Sequence, residues 1–112
     1  MITLRLWPTL AIGTGLALLG LPARAQVPNL YYSWRSLEVD VATCLDRSTT
    51  ALTAQSLGNI QVQDNSVAGF TEEATAVFVC LGDVNATTVM LMVSSNDDDV
   101  AFNLREILKA SF

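Results

Sequence analysis

The sequence of 112 residues contains no histidine, and Lys109 is its single lysine. Without imidazole there is no histidine-based catalytic triad, no histidine metal site and no titrating switch near neutral pH. Basic residues are few: six against eleven acids. Arg5 and Arg24 fall in the first 25 residues, so a chain beginning at residue 26 carries a net charge of −7. A surface so poor in cations has little with which to displace counterions from phosphates, which excludes a nucleic-acid partner. Cysteine is scarce too, with Cys44 and Cys80 alone and no Cys-x-x-Cys spacing. A redox motif is therefore not expected.

The amino terminus has a definite order. Arg5 precedes an uncharged, largely apolar run from Thr9 to Leu21, which Pro22 interrupts, and Ala23-Arg24-Ala25 offers small residues around a cleavage point before Gln26. That order is that of a secretory signal. The run is shorter than the roughly 20 apolar residues that span a bilayer. Residues 1–25 are therefore read as a signal peptide and residues 26–112 as one domain, periplasmic or extracellular and off the membrane after cleavage.

Export gives the two cysteines an oxidising compartment, where a bridge persists. A Cys44–Cys80 disulfide is expected. The alternatives are two buried thiols behaving as small apolar groups, or a reactive thiol for which no activating neighbour is in view.

Along the domain, Leu30 to Val39 alternates as a strand, with Tyr32 and Trp34 on one face and Tyr31, Ser33 and Arg35 on the other. A helix starts between Ser36 and Asp40, with Asp40 a suitable cap and Ser36 an alternative. Val41, Cys44, Leu45, Ser48, Ala51 and Leu52 recur at helical spacing, and Gly58 is placed to close that helix. Ile60 and Val62 mark a second strand, and Asp64-Asn65-Ser66 with Gly69 read as a turn region. Thr75 to Leu81 and Thr87 to Ser94 are β-rich, the latter apolar on both faces as a central strand would be. The last helix opens at Asn96-Asp97-Asp98-Asp99 and carries Val100, Ala101, Leu104, Ile107 and Leu108 as its apolar stripe. The order implies an α+β fold: an antiparallel sheet of three to four strands with two helices packed on one face.

Candidate chemistry is thin. Asp97, Asp98 and Asp99 invite a cation, but consecutive side chains on a helical turn diverge by about 100° and suit a capped, dipole-complementing start instead. Glu72, Glu73 and Asp83 sit in turns or at strand ends, where solvated acids are ordinary. No catalytic residue, metal site or cofactor is assigned. Tyr31, Tyr32 and Trp34 are the candidate partner-binding residues, for a protein or a glycan. The need of a small domain for large apolar side chains inside favours a competing arrangement. In it, Tyr32 and Trp34 pack beneath the helices and Tyr31 covers an edge.

The aromatic strand ending in Trp34, Cys44 on a helix with Ala51, Leu57 and Gly58, and Cys80 late in a strand resemble a family of small secreted bacterial proteins without an established function. The apolar strand to Val93 and the helix with Ala101, Leu104 and Leu108 continue the likeness, while Ser94-Ser95-Asn96 stands where that family usually has a glycine. The resemblance implies a disulfide-bonded α+β sandwich and supplies no catalytic residue. Function is expected to be that of a small exported acidic binding or accessory module, with a small hydrolase or an enzyme inhibitor as the alternative. A deep polar pocket would favour the enzyme, and a flat apolar patch the module.

Overall fold

The computed structural model describes residues 28–83 and 86–112. The expected signal peptide, residues 1–25, and its expected cleavage point lie outside the described residues. Seven elements follow in order: β1 (Asn29–Leu37), α1 (Val41–Ala54), β2 (Gly58–Gln63), β3 (Ser66–Phe70), β4 (Ala74–Asp83), β5 (Ala86–Ser95) and α2 (Asp98–Lys109). The strands form one antiparallel sheet in the order β1-β5-β4-β3-β2. The fold is α+β, with five strands and not the three or four expected.

The extra strand is β3. Asp64, at φ 51°, starts the tight turn out of β2, and Ser66 already pairs with Val79 of β4. Turn-rich composition hid a strand of five residues whose existence depends on its neighbours. Gly69 is not a turn residue but a strand position under close approach: a Cβ there would meet Ile60 Cδ1 and Leu57 Cβ at 3.0 Å.

Asp40 caps α1, its carboxylate accepting the Thr43 N–H at 2.8 Å. Cys44, Ser48, Ala51 and Leu52 form the buried stripe of this helix. Closure differs from expectation. Ser56 takes the left-handed conformation at φ 63°, and Leu57 N–H returns to the Leu52 carbonyl at 3.1 Å while Ser56 N–H reaches Thr53 at 3.0 Å. That is a Schellman closure with serine in the position glycine usually fills. Gly58 opens β2 instead. Asp97 caps α2, accepting from Asp99 N–H at 2.9 Å and Val100 N–H at 3.2 Å.

Both helices lie on one face of the sheet, α1 over β4, β3 and β2, and α2 over β5 and β1. Between the layers sit Leu52, Val67, Ala76, Phe78, Leu91, Val93, Ala101 and Leu108, all buried. Phe112 folds back on the core, its ring centroid 5.2 Å from that of Phe78, and its carbonyl accepts from Arg35. Cys44 of α1 and Cys80 of β4 are joined, with Cα atoms 6.1 Å apart and both residues fully buried. The bond ties the first helix to the middle of the sheet. Ser48 is buried beside it, its hydroxyl donating to the Cys44 carbonyl at 2.8 Å.

Candidate functional site

The sheet has a second face that no helix among the described residues covers. Strand alternation turns Leu30, Tyr32, Trp34 and Ser36 of β1 to this side, with Thr88, Met90, Met92 and Ser94 of β5. Thr75, Val77, Val79 and Leu81 of β4 join them, followed by Ser66, Ala68 and Phe70 of β3 and Gln61 and Gln63 of β2. Not one of these side chains is charged, in a chain with eleven acids. Trp34 is 62% exposed, Tyr32 59%, Leu30 63% and Leu81 47%, so the patch is open to solvent. Contiguous apolar surface of this kind marks an interaction site more often than chance exposure does.

Register sets the layout. One row across the sheet reads Trp34, Met90, Val79, Ser66, Gln63, and the next reads Tyr32, Met92, Val77, Ala68, Gln61. In both rows the side chains shrink from the aromatic at β1 to Ser or Ala at β3.

The three aromatic candidates are therefore not brought together. Tyr32 and Trp34 lie on the helix-free face, opposite to the packing beneath the helices that was expected. Tyr31 is the ring on the helix side, half-buried under α2. Its hydroxyl donates to Asp98 Oδ1 at 2.5 Å, its ring meets Phe102 edge-on at 5.6 Å, and the Arg105 guanidinium sits 5.7 Å from its centroid. The bond to Asp98 raises the phenol above its ordinary pKa. Its polar tip and its ring are thus both engaged within the chain. The physical reason for the reversal is that β1 is an edge strand. Its inward set includes Ser33 and Arg35, with the Arg35 guanidinium bonded to the Phe112 carbonyl, so an edge position demands less apolar filling than a central one.

The acidic candidates disperse. Asp97 is spent on the α2 cap and Asp98 accepts from Tyr31. Among the described residues no group of three or more acids or cysteines is placed to hold a metal ion. Glu73 immediately precedes β4 and Asp83 ends it, so their backbones stand about 33 Å apart at the usual rise per strand residue. A glycosidase pair needs about 5–9.5 Å. Lys109 and Arg105 both turn to Glu106 Oε2, at 3.2 and 2.8 Å, where that oxygen is shielded from water. The Lys109 bond holds the Glu106 carboxyl below its ordinary pKa. The hollow lined by Ser33, Phe78, Leu91 and Phe112 encloses about 10 Å³, room for one water, and the larger clefts, of about 400 Å³ beside Asp46 and Arg47 and about 420 Å³ beside Arg35, Glu106 and Lys109, are open to solvent.

The residues that sequence reasoning passed over are Met90, Met92, Val77, Val79, Ala68 and Phe70. A signal for them existed: the outward sets of β1, β2, β3 and β5, and of β4 as far as Leu81, are free of charge. No family model matches the chain, and no curated protein is similar to it.

Proposed function

We propose that this domain is a non-catalytic binding module, exported from the cytoplasm, and that the helix-free face of the sheet is its working surface. The observation that carries the reading is a broad, solvent-open, largely apolar face with Tyr32 and Trp34 at one side. Exposed aromatic rings supply contact area at little entropic cost, and methionine adapts its shape to what it meets. Export is supported by the signal-like order of residues 1–25 and by the Cys44–Cys80 bond, which persists in oxidising compartments. Among the described residues no helix is long and apolar enough to cross a membrane.

The experiment is site-specific photo-crosslinking in the native compartment. A photoreactive residue at Met92 or Val77 should give discrete adducts, and the same residue at Thr50, exposed on α1, should not. Equal, diffuse labelling from all three positions would refute the reading.

A further inference from the structure

Resting on the reading that the helix-free face is the working surface, we propose that its occupant is a second copy of this chain, packed sheet to sheet about a two-fold axis. The axis runs along the strands, between β5 and β4. Three features of the face lead there.

The first is shape. Both central rows descend in height across the sheet, Trp34, Met90, Val79, Ser66 in one and Tyr32, Met92, Val77, Ala68 in the other. Rotation about the stated axis lays β1 of one copy over β3 of the other. The tall aromatic side then meets the short Ser66 and Ala68 side, and both methionines cross the valines. Two identical wedges stacked in opposite directions leave the sheets parallel, at the spacing of about 10 Å usual for a sandwich. An isologous contact demands this self-complementarity.

The second is charge. A partner that read this face by ion pairs would find little to pair with, because none of the side chains in the rows from Leu30 to Ser36 across to β3 and β2 is ionised. An acidic domain can meet its own copy only where its acids are absent. Here the acids of α1 and α2 lie on the far side of the sheet, so the helix layers of the two copies stand about 30 Å apart, beyond the screening length of about 8 Å.

The third is area. At about 200 Å² for a large side chain, the exposed fractions of Leu30, Tyr32, Trp34 and Leu81 amount to roughly 450 Å². The partly buried methionines, valines and threonines and the exposed glutamines bring the face to the order of 800 Å², the share each partner gives to a stable interface. On the proposed cleavage after Ala25, the chain's own leading segment is too short to cover the face. Cleavage after Ala25 leaves Gln26 and Val27 ahead of Pro28, a reach of about 7 Å.

The test uses the oxidised, exported protein. With Trp7 gone in the signal, Trp34 is its one tryptophan and reports directly from the interface. Sedimentation equilibrium should give twice the chain mass, and Trp34 emission should move to the red as dilution separates the copies. Ala68→Lys puts an unpaired cation beneath Tyr32 of the facing copy, and Val79→Lys puts one beneath its Met90. Each should weaken dimerisation by roughly 100-fold or more. Each should also shift Trp34 to the red, although Ala68 lies three strands from Trp34 in the same chain. Thr50→Lys on α1 should leave mass and emission unchanged, and far-ultraviolet circular dichroism checks that each variant is folded. A monomer at all concentrations, with water-like Trp34 emission, overturns self-association and leaves the binding-module reading to the crosslinking adducts. A dimer that survives both lysines with its emission unmoved uses another surface and also overturns it. The wild-type dilution series decides even if a variant fails to fold.

Discussion

Breaking the bond between Cys44 and Cys80 should cost this domain a large part of its stability. The two residues are 36 apart in sequence, so the closed loop holds 37 residues. In the chain-entropy description, closing a loop of that length removes about 13 cal/mol/K from the unfolded ensemble, or about 4 kcal/mol at 25 °C. Replacing both cysteines by alanine also deletes two buried sulfur atoms beside Ser48. By analogy with Ile→Val that adds about 1 kcal/mol for each. A domain of this size is stable by roughly 4–13 kcal/mol in total. Urea unfolding of three samples separates the contributions: oxidised protein, reduced protein and the double alanine variant. Reduction should lower the unfolding free energy by about 4 kcal/mol, and the alanine pair by roughly 1–2 kcal/mol more. The reasoning fails if reduced and oxidised protein agree within about 1 kcal/mol, for then loop closure in the unfolded chain is not what the bridge changes.

Three further expectations follow from named contacts. A Cβ at Gly82 would lie 2.5 Å from Val41 Cγ2, and valine is stiff, so Gly82→Ala should destabilise by about 1–3 kcal/mol. Gly58→Ala, with open space around it, should not; equal costs at the two sites would contradict the packing between α1 and β4. The Thr43 N–H holds the Asp40 carboxyl below its ordinary pKa, so the cap is complete above the usual carboxylate range and is lost as pH falls through the lowered value. Asp40→Ala should therefore lower the thermal midpoint at neutral pH by an amount that shrinks in strong acid, and a gap independent of pH would speak against the cap. Mass spectrometry of the exported protein should find Gln26 at its start, and a product beginning at Met1 would end the signal-peptide reading.

Local features were legible because their causes are local. Asp40 and Asp97 announce helix starts through short-range bonds to the next turn, and both helices begin there. The phases of Cys44 and Cys80 point inward on their own elements, and the two meet. What stayed hidden depends on neighbours distant in sequence. Strand β3 exists through its pairing with β4, Val67 opposite Phe78, and nothing in Ser66-Val67-Ala68-Gly69-Phe70 alone demands it. Alternation sorted β1 into two sets but could not say which set the helices cover. Hydrophobicity favoured burying Tyr32 and Trp34. The structure instead buries Leu37 and half-buries Tyr31 and Ser33, with Arg35 reaching the Phe112 carbonyl. The double apolar character of β5 was correctly tied to an interior strand, yet one of its faces is open.

The place of β1 in the sheet also governs the order in which the molecule can assemble. Strands β2 to β5 follow one another in sequence and in space, so each can zip onto its predecessor as the chain lengthens. β1 is made first but pairs with β5, whose partner residues come 50 to 66 positions later, and it is held from the other side by α2, later still. A chain growing from its amino terminus thus carries its most aromatic strand unpaired for nearly its whole synthesis. Tyr32 and Trp34 spend that interval without a sheet to belong to, and β1 becomes the final closure of the fold. A truncated chain lacking α2 should accordingly lose amide exchange protection in β1 before it loses protection in β3 and β4.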